Sequence, residues 1–164
     1  GAATNVHDAC IQEIESQIEC EFVKPAAGAV WFLPKSMGSL IPSQALTAWK
    51  FLPREVPVMV WVGYLKKRGV LRLIMEVGPL ADSTKRKSLL HAIEAAGIPV
   101  RATGFRDDAK FTRIASHSQK LKLDEDGEPD TSDEEVQRVF RALWKKYDEP
   151  LEKVVSALSN FDWK

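Results

Sequence analysis

At 164 residues, 45% of them hydrophobic and with five Trp and seven Phe, the chain has one domain's worth of core-forming sequence, which excludes global disorder. Its 23 basic and 23 acidic side chains cancel, but they are unevenly laid out: 2 basic and 5 acidic over 1–49, 15 and 6 over 50–122, 6 and 12 over 123–164. No window approaches the apolar length of a bilayer span and no signal segment is visible, so a cytoplasmic protein without membrane contact is expected.

Thr4 can cap a helix running to about Glu21, with Val6, Cys10, Ile14 and Ile18 on one face and Lys24-Pro25 as its stop. Cys10 and Cys20 then lie about 15 Å apart on one helix, beyond disulfide reach, and read as reduced thiols. AVWFLP (29–34) is a short buried strand closed by proline. The apolar loop that follows, with Leu40, Ile41, Trp49 and Phe51, must lie against the core. PVMVWVGYL (57–65) and VLRLIMEVG (70–78) form a hairpin across a charged KKRG turn. The first of these strands, apolar on both faces, belongs at the centre of the sheet. In the second, Leu71, Leu73, Met75 and Val77 share one face and Arg72 and Glu76 the other.

Gly78-Pro79 breaks the sheet, and Asp82 or Ser83 caps a helix through about Ala96 that Gly97 stops. VRATGF (100–105) and KFTRIASH (110–117) read as two further strands joined across Arg106-Asp107-Asp108-Ala109. DEDGEPD (124–130) is an exposed loop without EF-hand spacing. Ser132 and Glu135 make a capping box for a long terminal helix, kinked or divided at Pro150. The sum is an α+β fold: a mostly antiparallel sheet of about five strands with an N-terminal, a central and a long C-terminal helix. Residues 1–164 form a single accessory domain, and the opening GAATNV, lacking an initiator Met, predicts a fragment of a longer protein.

Asp108-Ala109-Lys110 is half of a metal-dependent nuclease site, which needs further carboxylates around a divalent cation and a lysine to orient water. Glu76 and Asp82 are the other carboxylates to weigh, and neither stands in a Pro-Asp setting. The adjacent Asp pair and the preceding Gly104 are turn chemistry, so a hairpin tip is expected. The three histidines are scattered without ligand spacing, so no metal and no cofactor is expected outside a magnesium-dependent alternative. Gly78 to Asp82 reads as a turn and cap rather than a phosphate loop. Trp31, Trp61 and Trp144 belong to the core, while Trp49 and Trp163 are the surface aromatics that can stack bases. The basic middle suits a polyanion, and it equally suits faces that neutralise each other within the fold or across a dimer.

GAVWFLPKSM, Trp49, VMVWVGY, LRLIMEVGP, KFTRIAS and the closing helix together resemble the carboxy-terminal region of an uncharacterised bacterial family in the PD-(D/E)XK nuclease superfamily. The matching positions are Phe32 to Lys35, Trp49, Val77 to Pro79 and Lys110 to Ile114, spread over roughly residues 28–163. The resemblance implies a nuclease core upstream of this chain and carries over no catalytic residue. The expected function is therefore a non-catalytic accessory domain of a nuclease-like protein, binding nucleic acid or a protein partner. Arg101, Arg106, Lys110, Arg113, Lys120 and Lys122 are the nucleic-acid candidates. The alternatives are a minimal metal-dependent nuclease built on Glu76, Asp108 and Lys110, and a pure assembly module forming a homodimer.

Overall fold

The structure is a computed structural model that describes residues 2–164. Helix α1 (Ala2–Gln17) buries Val6, Cys10 and Ile14 of the expected stripe, with Ala9 beside them, while Ile18 lies beyond its end and is half-buried. The helix begins before Thr4 and stops at Gln17, short of the expected Glu21. The residues beyond it form a strand that the sequence reading missed, β1 (Cys20–Ala26). Ala27 and Gly28, with φ of 49° and 73°, turn β1 into β2 (Ala29–Pro34). Two consecutive left-handed residues make the tight hairpin turn whose twist matches paired strands. Cys10 and Cys20 thus lie on different elements, and burial pushes their thiols up to about 12 and about 11.

A helical turn, α2 (Lys35–Gly38), leads into an irregular segment reaching β3 (Val58–Leu65). A single 3-10 turn, Lys66–Arg68, and Gly69 at φ 61° return the chain as β4 (Val70–Val77). Helix α3 (Ser83–Ala95) starts at Asp82, whose carboxylate accepts the Lys85 N–H at 3.1 Å. VRATGF is not a strand: Ala102–Phe105 is a 3-10 turn, and the fifth strand is β5 (Thr112–Lys120). The strands run in the order β1-β2-β3-β4-β5, every neighbour antiparallel, with β3 at the centre as expected. The total of five strands was right, with β1 standing where 100–105 was expected.

The terminal helix is two helices, α4 (Asp133–Lys145) and α5 (Asp148–Ser159). Pro150 sits in the first turn of α5, and the break falls four residues before it at Lys146. A helical residue bonds the carbonyl four positions back, so Pro150 has no N–H for Lys146 and its ring clashes there. Ser132 caps α4 through the Glu135 N–H, but the Glu135 carboxylate does not return the favour. It is buried and accepts instead from Arg138 and from the Lys122 backbone at 2.7 Å.

One sheet face carries Val60, Val62, Leu73 and Met75 and is covered by α1 and α4. Phe32 packs at 6.1 Å on Phe140 and 5.6 Å on Trp144, and the Tyr147 hydroxyl donates to the Leu73 carbonyl. Helix α5 packs on α3 and α2. Among the described residues, no helix is long and apolar enough to cross a membrane.

The opposite face is covered over β2 and β3 by the irregular segment. There the irregular segment brings Trp49 and Phe51 onto Trp31, at 5.4 and 5.0 Å. Trp49 is therefore a core residue, 7% exposed, and not the surface aromatic its neighbours suggested. It holds a left-handed φ of 60°, a strained conformation for so bulky a residue. Gly78 passes directly beneath its ring: a methyl there would land on Trp49, with two ring carbons 2.7 Å away. Gly78→Ala is expected to cost about 1–3 kcal/mol by overpacking, read as a lower denaturation midpoint with altered tryptophan emission.

Candidate functional site

The other half of the second face belongs to β4, where Ile74 and Glu76 are buried, and to β5, where Arg113, Ser116 and Ser118 are exposed. Pairing puts Arg72 beside Ser118, Ile74 beside Ser116 and Glu76 beside Arg113, and Trp61 of β3 opposes Ile74. A bulge between Met75 and Glu76 inserts an extra β5 residue, which keeps Arg113 on this open side. Trp61 was expected in the core and is half-buried instead. Its ring lies under two guanidinium groups, with Arg72 Cζ at 5.5 Å and Arg113 Cζ at 5.6 Å from the centroid. Each is a cation–π contact, and the two arginines shield an aromatic ring that solvent would otherwise meet.

Glu76 completes the cluster. Its carboxylate accepts the Trp61 Nε1–H at 3.1 Å and lies 3.9 Å from Arg113 Nε. Burial raises its pKa, outweighing the Trp61 hydrogen bond and the neighbouring Arg113, Arg72 and Arg86. The sign follows from linkage. Both folded and unfolded states are protonated below the ordinary glutamate range, and ionisation above it is costlier in the folded state. Stability is thus lost as pH rises from the ordinary glutamate range, about 4.3, through the raised pKa. Glu76→Gln keeps an acceptor for Trp61 and is expected to flatten that limb. Urea unfolding of both proteins across the interval measures it.

Glu76, Arg113, Arg101, Arg106, Asp108 and Phe111 are among the residues lining an open pocket of about 570 Å³. It lies where the end of β4, the 3-10 turn and the start of β5 converge. The turn is held there by Arg86 of α3, 3% exposed. Its guanidinium donates to the carbonyls of Gly78 (2.7 Å), Gly104 (3.0 Å) and Val77 (3.1 Å), and to Thr112 Oγ1 (2.8 Å). Gly104 packs against Thr112, so a Cβ there would lie 2.9 Å from its methyl. The glycine read as turn chemistry serves this close approach. Phe111, 51% exposed on the pocket wall, is backed by Trp49 with ring centroids 5.9 Å apart.

The hairpin tip expected at Asp107-Asp108 is therefore corrected. With no strand before it, the segment is a loop on the pocket rim. Asp107 pairs with Lys87, while Asp108 lines the pocket. Lys110 is exposed and is not among the residues lining the pocket. Among the described residues, no three His, Cys, Asp or Glu side chains are grouped to hold a metal ion.

Of the six basic candidates, the fold brings together Arg101, Arg106 and Arg113. Lys120 lies at the far end of β5, beside Arg68 in a smaller recess of about 210 Å³. Lys122 faces the acidic side of the molecule and lies 3.8 Å from Asp130. Neutralisation of the basic middle within the fold is partial. Lys50, Arg54, Lys87, Arg113 and Lys122 have carboxylate partners. Among the described residues Arg101, Arg106, Arg72, Arg68 and Lys120 have none within ion-pair distance. The sequence reading overlooked Trp61, Arg86 and Phe111 as parts of this site. Only Phe111, an aromatic between two charged stretches, left a local trace. No protein-family model, curated protein or solved structure matches the chain.

Proposed function

We propose that this is a non-catalytic nucleic-acid-binding domain of a cytosolic, nuclease-like bacterial protein, and that it grips its ligand on the open β4–β5 face. One observation carries the reading: two arginines flanking the 3-10 turn and a third at the start of β5 line one pocket beside an exposed aromatic ring. Guanidinium forks match phosphate oxygens, and an exposed ring offers a sequence-tolerant surface for bases. With Arg72 and the buried Arg86 included, five arginines stand around two carboxylates. That balance favours an anion and opposes the accumulation of a divalent cation. The nuclease-like parent rests on the short motifs described above.

Fluorescence anisotropy with labelled oligonucleotides tests the proposal. Binding is expected at low salt and is expected to weaken steeply between about 50 and 200 mM, because each neutralised phosphate releases counterions. Absence of binding at low salt would shift the assignment to a protein partner or to self-assembly. The same oligonucleotides incubated with Mg²⁺ or Mn²⁺ are expected to stay intact. Cleavage lost on Asp108→Ala or Glu76→Gln would establish the nuclease alternative instead.

A further inference from the structure

Resting on that reading, we infer that the arginine pocket takes the phosphorylated end of a single strand, with the terminal base against Phe111. The first argument is shape. Duplex phosphates lie on a convex cylinder, whereas Arg101, Arg106 and Arg113 surround a concavity. Its volume, about 570 Å³, is within the range of small-molecule sites and suits one nucleotide. The second argument is charge. A phosphate monoester carries about −1.5 to −2 at neutral pH, more than a diester linkage, and presents more oxygens to guanidinium forks.

Rigidity supplies the third argument. Phe111 is half exposed, yet it is braced by Trp49, which is wedged between Trp31 and the Gly78 backbone. Arg86 ties the pocket wall at Gly104 and Thr112 to the end of β4. An aromatic platform and a wall already fixed before binding lose little entropy when a base arrives. The fourth is continuity. Along β5, Arg113, Ser116, Ser118 and Lys120 are all exposed on the open face. They span about 23 Å at a strand's rise and end at the recess that holds Arg68. The rest of a strand whose end sits in the pocket has a polar, basic path to follow.

The experiment uses a fluorescent oligothymidylate with a 5′-phosphate, a 3′-phosphate or hydroxyls at both ends. Its duplex with oligoadenylate and free thymidine monophosphate as competitor complete the set. One phosphorylated end is expected to bind about tenfold tighter than the hydroxyl form, which identifies the end recognised, and the duplex more weakly than either. Arg106→Ala is expected to erase the preference for the phosphate. Phe111→Ala, on an exposed side chain and checked for folding by circular dichroism, is expected to weaken the phosphorylated strand about tenfold while leaving the salt slope unchanged. Equal binding of all three strands, or a duplex that binds as tightly, would overturn the inference and leave nucleic-acid binding standing. Displacement by thymidine monophosphate at the strand's own Kd would overturn it in favour of a nucleotide site. No binding by any probe would overturn both.

Discussion

Arg86→Ala is expected to lower the melting temperature by about 10 °C. Arg86 is buried and donates to three main-chain carbonyls and one hydroxyl from three different segments. Truncation takes a donor from all four acceptors, of which the Gly78 carbonyl keeps the Leu80 N–H at 3.2 Å, and opens a cavity the length of an arginine. Each orphaned group costs about 1–3 kcal/mol before relaxation, and a total of about 3–5 kcal/mol is expected once the turn relaxes. At about 2–4 °C per kcal/mol for a chain of this size, the shift follows. Burial lowers the pKa of Arg86, and Glu76 offsets part of that. Arg86→Lys keeps the charge but cannot reproduce the fork, so it should recover little of the loss. Thr112→Val removes one of the four partners and is expected to cost about 1 kcal/mol. Calorimetry of the three variants checks the ranking. Melting of Arg86→Ala within a degree or two of the parent would mean that the turn at 102–105 is held by something else.

That anchor also explains what the sequence concealed. Periodicity gave the β3–β4 hairpin, its place at the sheet centre and the face on which Arg72 and Glu76 lie, because alternation is a local property. The buried stripe of α1 and the cap at Asp82 are local too. Misreadings arose where a distant partner decided the outcome. Cys20 and Glu21 continue a helical pattern on paper, but pairing with β2 through the left-handed Ala27-Gly28 turn makes Cys20–Ala26 a strand. Val100–Phe105 has strand-like residues, yet Arg86 captures the Gly104 carbonyl and curls the segment into a turn. In Lys85-Arg86-Lys87 nothing marks the middle residue as buried: its partners lie 8 to 26 positions away. Trp49 looked like a surface residue because its flanks are loop-like, and only the Gly78 groove shows why it is inside. The pocket is legible only in part for the same reason. Charge density nominated six basic residues, and three-dimensional pairing sorts them.

That sorting gives the second large effect. Replacing Arg101, Arg106 and Arg113 together by Ala is expected to weaken single-strand binding by at least a hundredfold at low salt. All three line the pocket, and Arg101 and Arg106 have no carboxylate within ion-pair distance among the described residues. Their donors are thus available to phosphate without first breaking an ion pair. If each neutralises one phosphate, the slope of log K against log salt should fall by about 2, at roughly 0.7 per contact on a single strand. Lys110→Ala and Lys122→Ala are the matched controls. Lys110 is exposed outside the pocket, and Lys122 is near Asp130 on the acidic side, so neither should change the slope by more than a few tenths. Arg113→Ala also removes one guanidinium from the Trp61 ring, so its melting curve must be compared with the parent before its affinity is interpreted. Arg101 and Arg106 lie on exposed positions, and their double variant should melt within about 1 kcal/mol of wild type. A triple variant that binds with undiminished slope, or a Lys110 or Lys122 variant that loses as much, would show that charge in general and not this pocket holds the strand.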